Sequence, residues 1–175
     1  MKFLKILVFP IIVAILAAIL QVTDQLLSPH LLPSGNHGFT WIAFQTWALY
    51  FIAGCNVKGG IKTIIAVVVG IIASIIIMNG AGWFGLLGFF AIPASLFVFV
   101  IPVICLEKVP WMDFIPGIFI GAGAFFVFMT YIPYATFGSA ALTEIIYLFL
   151  GLFWGWMSIT FRGMYEKAIA KYNLK

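Results

Sequence analysis

The run IKTIIAVVVGIIASIIIM, residues Ile61–Met78, decides the fold class because it is long, apolar and almost free of charge. Its one charged residue, Lys62, is the second residue of the run. A helix needs about 20 mostly apolar residues to cross the hydrocarbon core of a bilayer. The run therefore predicts a transmembrane helix with a basic residue at one end.

Similar apolar runs lie on either side of it, so the chain divides into six predicted spans. In chain order these are Leu4–Val22, Phe39–Ala53, Ile61–Met78, Trp83–Leu106, Trp111–Tyr131 and Ala140–Phe161. The longest loop is predicted at Thr23–His37, a tight turn at Asn79–Gly82 and a short loop at Glu107–Pro110. The first run is interpreted as a span rather than a signal peptide, because it is long and no clean cleavage motif follows it. The sequence thus predicts an all-α polytopic membrane protein, with residues 1–175 in one domain.

The composition excludes a soluble domain. Hydrophobic residues make up 65% of the chain, charged residues 8%, and the mean hydropathy is +1.20, whereas ordinary globular chains carry about 25% charged residues. Six spans leave no room for a soluble catalytic module, and the sequence has no paired carboxylates, catalytic triad or phosphate-binding loop. We therefore expect neither enzymatic activity nor a cofactor.

All the basic residues fall on one side of the six predicted spans. They are Lys2, Lys5, Lys58, Lys62, Lys108, Arg162, Lys167, Lys171 and Lys175. The positive-inside rule then predicts that both termini are cytoplasmic. The net charge of +4 indicates contact with anionic lipids and not with nucleic acid, because no basic stripe or RNA-binding motif accompanies it.

The two halves of the chain resemble each other. Thr63–Ser74 matches Glu144–Gly155 at a constant offset: in each segment Ile-Ile follows the first residue, and small residues follow seven and eleven positions after it. Trp41-x-x-Phe44 opens the second span and Trp111-x-x-Phe114 opens the fifth. We predict repeat halves 1–79 and 80–161, followed by a cytoplasmic tail, 162–175. Three spans per half make the repeat inverted, and such repeats place a functional site where the halves meet.

Small residues spaced four apart indicate where membrane helices pack closely. The candidates for helix packing are Gly70, Ser74, Gly117, Gly121, Gly151 and Gly155. They predict close packing within one protomer or between protomers, and so small a bundle is expected to form a homo-oligomer in the bilayer.

A few polar and glycine residues are candidates for a solute path. They are Gln45, Asn56, Gly59, Gly60 and Glu144. The segment Gly54–Gly60 suggests a helix that ends early and exposes backbone groups to a solute, although a plain cytoplasmic turn explains it equally well. Gln45 lies about two turns inside its span and needs a partner or water. For Asp113 and Glu144, anchoring at the membrane surface is the simpler interpretation.

Metal binding is not expected. Cys55 and Cys105 lie near cytoplasmic span ends, so they are interpreted as reduced, small apolar side chains. His30 and His37 lie in the predicted outer loop, where they could sense external acid or be ordinary solvated residues.

Two segments carry a resemblance to a known family. Cys55–Lys62 (CNVKGGIK) resembles a Gly-Gly-Leu-Lys turn, and Phe114–Ala122 (FIPGIFIGA) resembles a Pro-Gly stretch, both from the DUF1097 family of small bacterial inner-membrane proteins. The first match departs from the family pattern at Asn56–Lys58. The resemblance implies a bacterial inner-membrane location and a similar fold for residues in spans two to six; it implies no activity.

The expected function is a channel or facilitator for a small neutral solute such as a urea-like amide, water or a weak acid. The six spans, the apparent repeat, the interrupted segment and the scarcity of deep charges favour it. The alternative is a membrane partner or assembly subunit that transports nothing. An ion-coupled carrier is a third hypothesis, and it requires Asp113 or Glu144 to lie in a polar cavity.

Overall fold

The computed structural model describes residues 2–31, 33, 35 and 38–173, and this part of the chain is helical and contains no β-strand. The α-helices are α1 Lys2–Leu27, α2 Thr40–Ile52, α3 Val57–Trp83, α4 Ala91–Cys105, α5 Ile115–Tyr131 and α6 Phe137–Asn173. Short 3-10 turns occur at Ser28–His30, Gly85–Phe90 and Leu106–Lys108.

Four helical stretches are long and apolar enough to cross a membrane: Leu7–His30, Val57–Trp83, Gly85–Lys108 and Phe137–Lys171. The other two helices are apolar but shorter, with 13 residues in α2 and 17 in α5. An all-helical protein with several membrane-length apolar helices is therefore confirmed.

The first helix is longer than predicted. The sequence prediction ended the span at Val22 and began a loop at Thr23, but α1 continues to Leu27. No glycine or proline interrupts Gln21–Leu27, and the polar side chain of Asp24 finds partners inside the protein. Of the two loop histidines, His30 is exposed at the end of a 3-10 turn, and His37 lies outside the described residues.

The predicted tight turn at Asn79–Gly82 is wrong, because α3 runs through it to Trp83. The helix is held there by α4: the Ser95 hydroxyl donates a hydrogen bond to the Ile77 carbonyl oxygen at 2.6 Å. The chain instead breaks at Gly88, whose φ of 55° is in the left-handed region. Pro93 lies in the first turn of α4, where proline is tolerated.

The fifth helix starts later than predicted, at Ile115 instead of Trp111. Trp111 has a φ of 71°, which few non-glycine residues adopt and which no helix accommodates. The loop before α5 therefore extends to Phe114. At the other end of the chain, the predicted tail continues α6 without a break as far as Asn173.

Helices α3 and α5 pack at backbone distance. A Cβ atom added to Gly70 would overlap the carbonyl oxygen of Ile118 and the amide nitrogen of Ala122. One added to Gly121 would meet the backbone of Val67. The Ser74 hydroxyl donates to the carbonyl oxygen of Ala122 at 3.2 Å. We call this contact the α3–α5 seam.

Helices α2 and α6 form a second close contact, the α2–α6 seam. A Cβ atom on Gly151 would overlap the Thr46 hydroxyl and the carbonyl oxygen of Ala43. One on Gly155 would press against the ring of Tyr50. The Thr46 hydroxyl also lies 3.3 Å from the carbonyl oxygen of Tyr147 and can donate to it. Small residues thus let both helix pairs approach closely, as expected where no hydrophobic force drives helices together.

Replacing a seam glycine by alanine tests this packing. We expect Gly70→Ala and Gly151→Ala each to lower the free energy of unfolding by about 1–3 kcal/mol, the usual cost of overpacking a well-packed interior. The measurement is unfolding by SDS in mixed micelles, followed by tryptophan fluorescence. The control is Gly123→Ala on α5, where an added Cβ meets no described atom within 4 Å. Equal stability of Gly151→Ala and the control would contradict close packing at the α2–α6 seam.

Candidate functional site

A buried carboxylate closes the connection between α1 and α2. Asp24 is 1% exposed. One of its oxygens accepts hydrogen bonds from the Phe39 amide at 2.9 Å and from the Tyr147 hydroxyl at 2.5 Å. Phe39 directly precedes α2, and it has no side-chain cap of its own. Asp24 therefore supplies from α1 the negative charge that the N-terminus of α2 favours.

A second buried carboxyl group lies one helical turn before Tyr147. Glu144 on α6 is also 1% exposed, but neither of its oxygens finds a hydrogen-bond partner among the described residues. Burying a carboxylate without a partner is very costly, so the neutral acid is the form that such a site tolerates best. A group of this kind is seldom kept in a membrane helix without a function.

Glu144, Tyr147 and Gly151 share one face of α6, because residues three, four or seven positions apart lie on the same side of a helix. Gly151 is packed against α2 and Tyr147 bonds to Asp24 of α1. The face that carries Glu144 is therefore turned toward α1 and α2, close to the end of the bundle where α2 begins.

More unpaired polar atoms lie on α2 and next to it. Within the described chain, the buried side-chain atoms that lack hydrogen-bond partners are Ser28 Oγ, Thr40 Oγ1, Gln45 Oε1, Trp47 Nε1 and both carboxyl oxygens of Glu144. Three of these residues are on α2, one ends the α1 region and one is on α6. Because buried polar groups are nearly always hydrogen-bonded, a concentration of exceptions marks a place where a small polar molecule could bind.

The sequence-predicted candidates fall in two separate places. We call the helices that carry the unpaired atoms the α1–α2–α6 region; Gln45 lies on α2 and Glu144 on α6. Asn56 lies in the turn between α2 and α3, and Gly59 and Gly60 lie in the first turn of α3. Their roles in a solute path stay predictions.

In that turn, Asn56 is the N-cap of α3. Its side-chain oxygen accepts a hydrogen bond from the Gly59 amide at 2.8 Å, and its amide nitrogen donates to the Gly54 carbonyl oxygen at 3.0 Å. A Cβ atom on Gly59 would overlap the carbonyl oxygen of Ala53, so the turn is closed tightly against the end of α2. Gly54 and Cys55 both have positive φ, at 96° and 56°. This geometry agrees with the plain turn that the sequence left open as an alternative.

The chemistry of the remaining candidates is limited. In the described part of the chain, no three His, Cys, Asp or Glu residues are grouped so that they could hold a metal ion. Cys55 and Cys105 are both free thiols. The arrangement around Glu144 can donate and accept hydrogen bonds and can bind or release a proton.

Sequence reasoning missed Asp24 and Tyr147. Asp24 was assigned to a loop because the hydropathy falls after Leu20, yet the absence of any helix breaker before Pro29 was a signal that the helix continues. Tyr147 sits in an apolar run where an aromatic residue gives no signal of a polar contact. Its partner is 123 residues away in the sequence.

The comparisons with known proteins give one match. The profile of the family described as "Protein of unknown function (DUF1097)" matches residues 11–163. No curated protein and no solved structure matches the chain.

Removing the Tyr147 hydroxyl tests the buried bond to Asp24. We expect Tyr147→Phe to lower the free energy of unfolding by about 1.5–3 kcal/mol, the range for a hydrogen bond to a charged group. Unfolding in SDS mixed micelles measures it. Tyr134→Phe is the matched control, because Tyr134 is 92% exposed. A loss no larger than that of the control would show that the Asp24–Tyr147 bond contributes nothing to stability.

Proposed function

The chain belongs to the DUF1097 family, and we propose that this member is a six-span protein that lets a small neutral solute cross the bacterial inner membrane. The solute class is an amide such as urea, water or a weak acid. The observation that carries the proposal is the set of buried, unpaired polar atoms on α2, on α6 and at the end of α1, above all the carboxyl group of Glu144.

An inverted three-plus-three repeat is part of the proposal, and the two seams support it. If the halves are related by a two-fold axis, α3 corresponds to α6 and α5 to α2. Gly70 meets the backbone at Ile118–Ala122, and Gly151 meets it at Ala43–Trp47. The two glycines are 81 positions apart and the two backbone segments 75 apart. The first residues of α2 and α5 are also 75 apart, so this correspondence replaces the earlier Trp41–Trp111 match, which is 70 apart.

The lengths of the helices support the same function. At about 1.5 Å per residue, the 13 residues of α2 cover roughly 20 Å, less than the hydrocarbon core. Its counterpart α5 has 17 residues, and proline and glycine occupy its first turn. Short or interrupted helices at equivalent positions of the two halves are the usual place for a solute site in inverted-repeat transport proteins.

The unpaired atoms suit a small neutral solute better than an ion. They include acceptors at Gln45, a donor at Trp47 and groups of either kind at Thr40 and Glu144. Hydrogen bonds with a solute would replace those that the protein does not provide. Among the residues of α1, α2 and α6 whose burial the structure describes, no buried side chain is basic, so these residues offer no counter-charge to an anion.

The distribution of basic side chains supports cytoplasmic termini. Lys58, Lys62 and Lys108 line one cavity at the start of α3. The Arg162 guanidinium lies 5.2 Å from the ring centroid of Phe9, so the basic part of α6 is next to the beginning of α1. Basic residues collected at one end of the bundle favour that end as cytoplasmic.

A non-transporting membrane partner is the second candidate. It is favoured by the exposure of α4, because Ser95 is the one buried residue among Ala91–Cys105. A homo-oligomer or another membrane protein could cover that surface, and the glycine seams would then serve assembly alone.

Permeation through proteoliposomes tests the proposed function. Stopped-flow light scattering is measured with water, urea, formamide, glycerol and ammonium salts. We expect fast, non-saturating re-swelling with at least one solute. Gln45→Leu and Glu144→Leu should each slow it by about fivefold or more, since a lost hydrogen bond to the solute is worth about 1 kcal/mol.

Two exposed residues provide the controls for that assay. Gln25→Leu on α1 and Glu166→Leu on α6 make the same chemical changes at exposed positions and should leave the rates unchanged. Rates equal to those of empty liposomes for every solute would refute transport and leave the partner hypothesis.

Thiol labelling tests the orientation. In a Cys105→Ser background, Cys55 in the turn before α3 should react with a membrane-impermeant maleimide in inverted membrane vesicles and not in intact spheroplasts. The comparison is His30→Cys in a chain without the native cysteines, which places a thiol at the opposite end and should give the reverse pattern. Labelling of Cys55 in intact spheroplasts would reverse the proposed topology.

A further inference from the structure

A charged cavity of about 370 Å³ lies at the basic end of the bundle, away from the α1–α2–α6 region. It is formed by the first turns of α3 and by the loop between α4 and α5. The residues that give it its character are Lys58, Lys62, Glu107, Lys108, Trp111 and Asp113. Three ammonium groups and two carboxylates thus share one recess.

The two carboxylates do not neutralise the positive charge of the lysines in the cavity. Lys62 Nζ lies 2.7 Å from both oxygens of Asp113, and Lys108 Nζ lies 2.7 Å from Glu107. The hydrogen bond from Lys62 lowers the pKa of Asp113 below its ordinary value, so Asp113 is ionised at neutral pH. Lys58 makes no ion pair with any described residue. The cavity therefore holds one positive charge in excess.

The start of α3 adds to this positive potential. A helix N-terminus carries a partial positive charge and favours acidic residues in its first turn. The first turn of α3 contains no acidic residue and instead carries Lys58. An anion in the cavity would relieve the repulsion between the helix N-terminus and the lysines, and helix N-termini commonly bind phosphate groups.

Trp111, the aromatic residue of the cavity, has a strained backbone conformation. Trp111 has a φ of 71°, and its ring centroid lies 5.8 Å from Lys58 Nζ. A bulky residue in the left-handed region is strained, and such strain is concentrated at binding sites. The strained turn places the indole ring beside the Lys58 ammonium group in the cavity.

We propose that this cavity binds a phosphate group, contacted by Lys58, Lys62 and Lys108. The phosphate group belongs either to the headgroup of an anionic phospholipid or to a free phosphate anion. The cavity lies at the ends of the membrane-length stretches Val57–Trp83 and Gly85–Lys108, which is the level of the lipid headgroups. Basic pockets between membrane helices at this level bind anionic headgroups.

Native mass spectrometry of the detergent-purified protein tests the proposal, with phosphatidylglycerol and phosphatidylcholine as the lipid probes. We expect retention of phosphatidylglycerol in preference to phosphatidylcholine. Lys58→Gln with Lys108→Gln should weaken retention by roughly fivefold per lysine, the factor for one cation near an anionic surface. The control is Lys167→Gln with Lys171→Gln, which removes the same charge from exposed positions of α6.

Asp113→Asn is a control for misfolding, because it should strengthen binding where a misfolded protein would lose it. The substitution removes a competing carboxylate and frees Lys62, so we expect phosphate binding to become stronger by a similar factor. A misfolded protein would not show such a gain.

Inorganic phosphate distinguishes the two sources. If millimolar phosphate, but not chloride at the same ionic strength, displaces the lipid and its binding depends on Lys58 and Lys108, the cavity accepts the free anion. If phosphate has no effect while the cavity variants lose the lipid, the headgroup is the ligand. Equal weakening by the cavity and α6 variants, or equal retention of the two lipids, would overturn the proposal.

Discussion

The constraint on which the rest of the structure depends is the close approach of helix backbones at two glycine seams. In a bilayer, apolar side chains gain nothing by meeting each other instead of lipid, so association rests on close packing and hydrogen bonds. Gly70 and Gly151 allow that approach because a Cβ at either position would overlap backbone or hydroxyl atoms of the neighbouring helix. The bundle is thus held as two tight pairs, α3 with α5 and α2 with α6, and the remaining helices pack around them.

The α2–α6 seam also explains why polar groups end up buried without partners. Close packing at Gly151 fixes the face of α6 that carries Glu144, and the same face brings Tyr147 to Asp24. Asp24 is satisfied by two strong donors, whereas Glu144 is left with none that the structure describes. The two buried carboxyl groups therefore differ: Asp24 joins the end of α1 to the start of α2 and to Tyr147, and Glu144, one helical turn before Tyr147, keeps both oxygens free of described partners.

The sequence predicted the fold in outline because hydropathy and charge are local signals. Long apolar runs identified α1, α3, α4 and α6, and small residues at Gly70 and Gly151 marked the helices that pack closely. Errors occurred where tertiary contacts decide the outcome. Asn79–Gly82 has the composition of a turn, but Ser95 and Phe99 of α4 hold Gly80 within a helix. Gln45 and Glu144 were singled out because a polar residue in an apolar run is conspicuous, but Glu144 was expected at the membrane surface and is instead 1% exposed. The partner of Asp24 lies 123 residues away and could not be inferred.

The α2–α6 seam has a consequence for biosynthesis. Thr46 and Tyr147, which meet across it, are 101 residues apart in the chain. At ordinary rates of synthesis, about 5–20 residues per second, α2 would leave the ribosome roughly 5–20 s before its partner exists. A 13-residue helix cannot cross the bilayer by itself. The N-terminal half must therefore wait, with α2 shielded by the insertion machinery or held at the membrane surface, until the last helix is made.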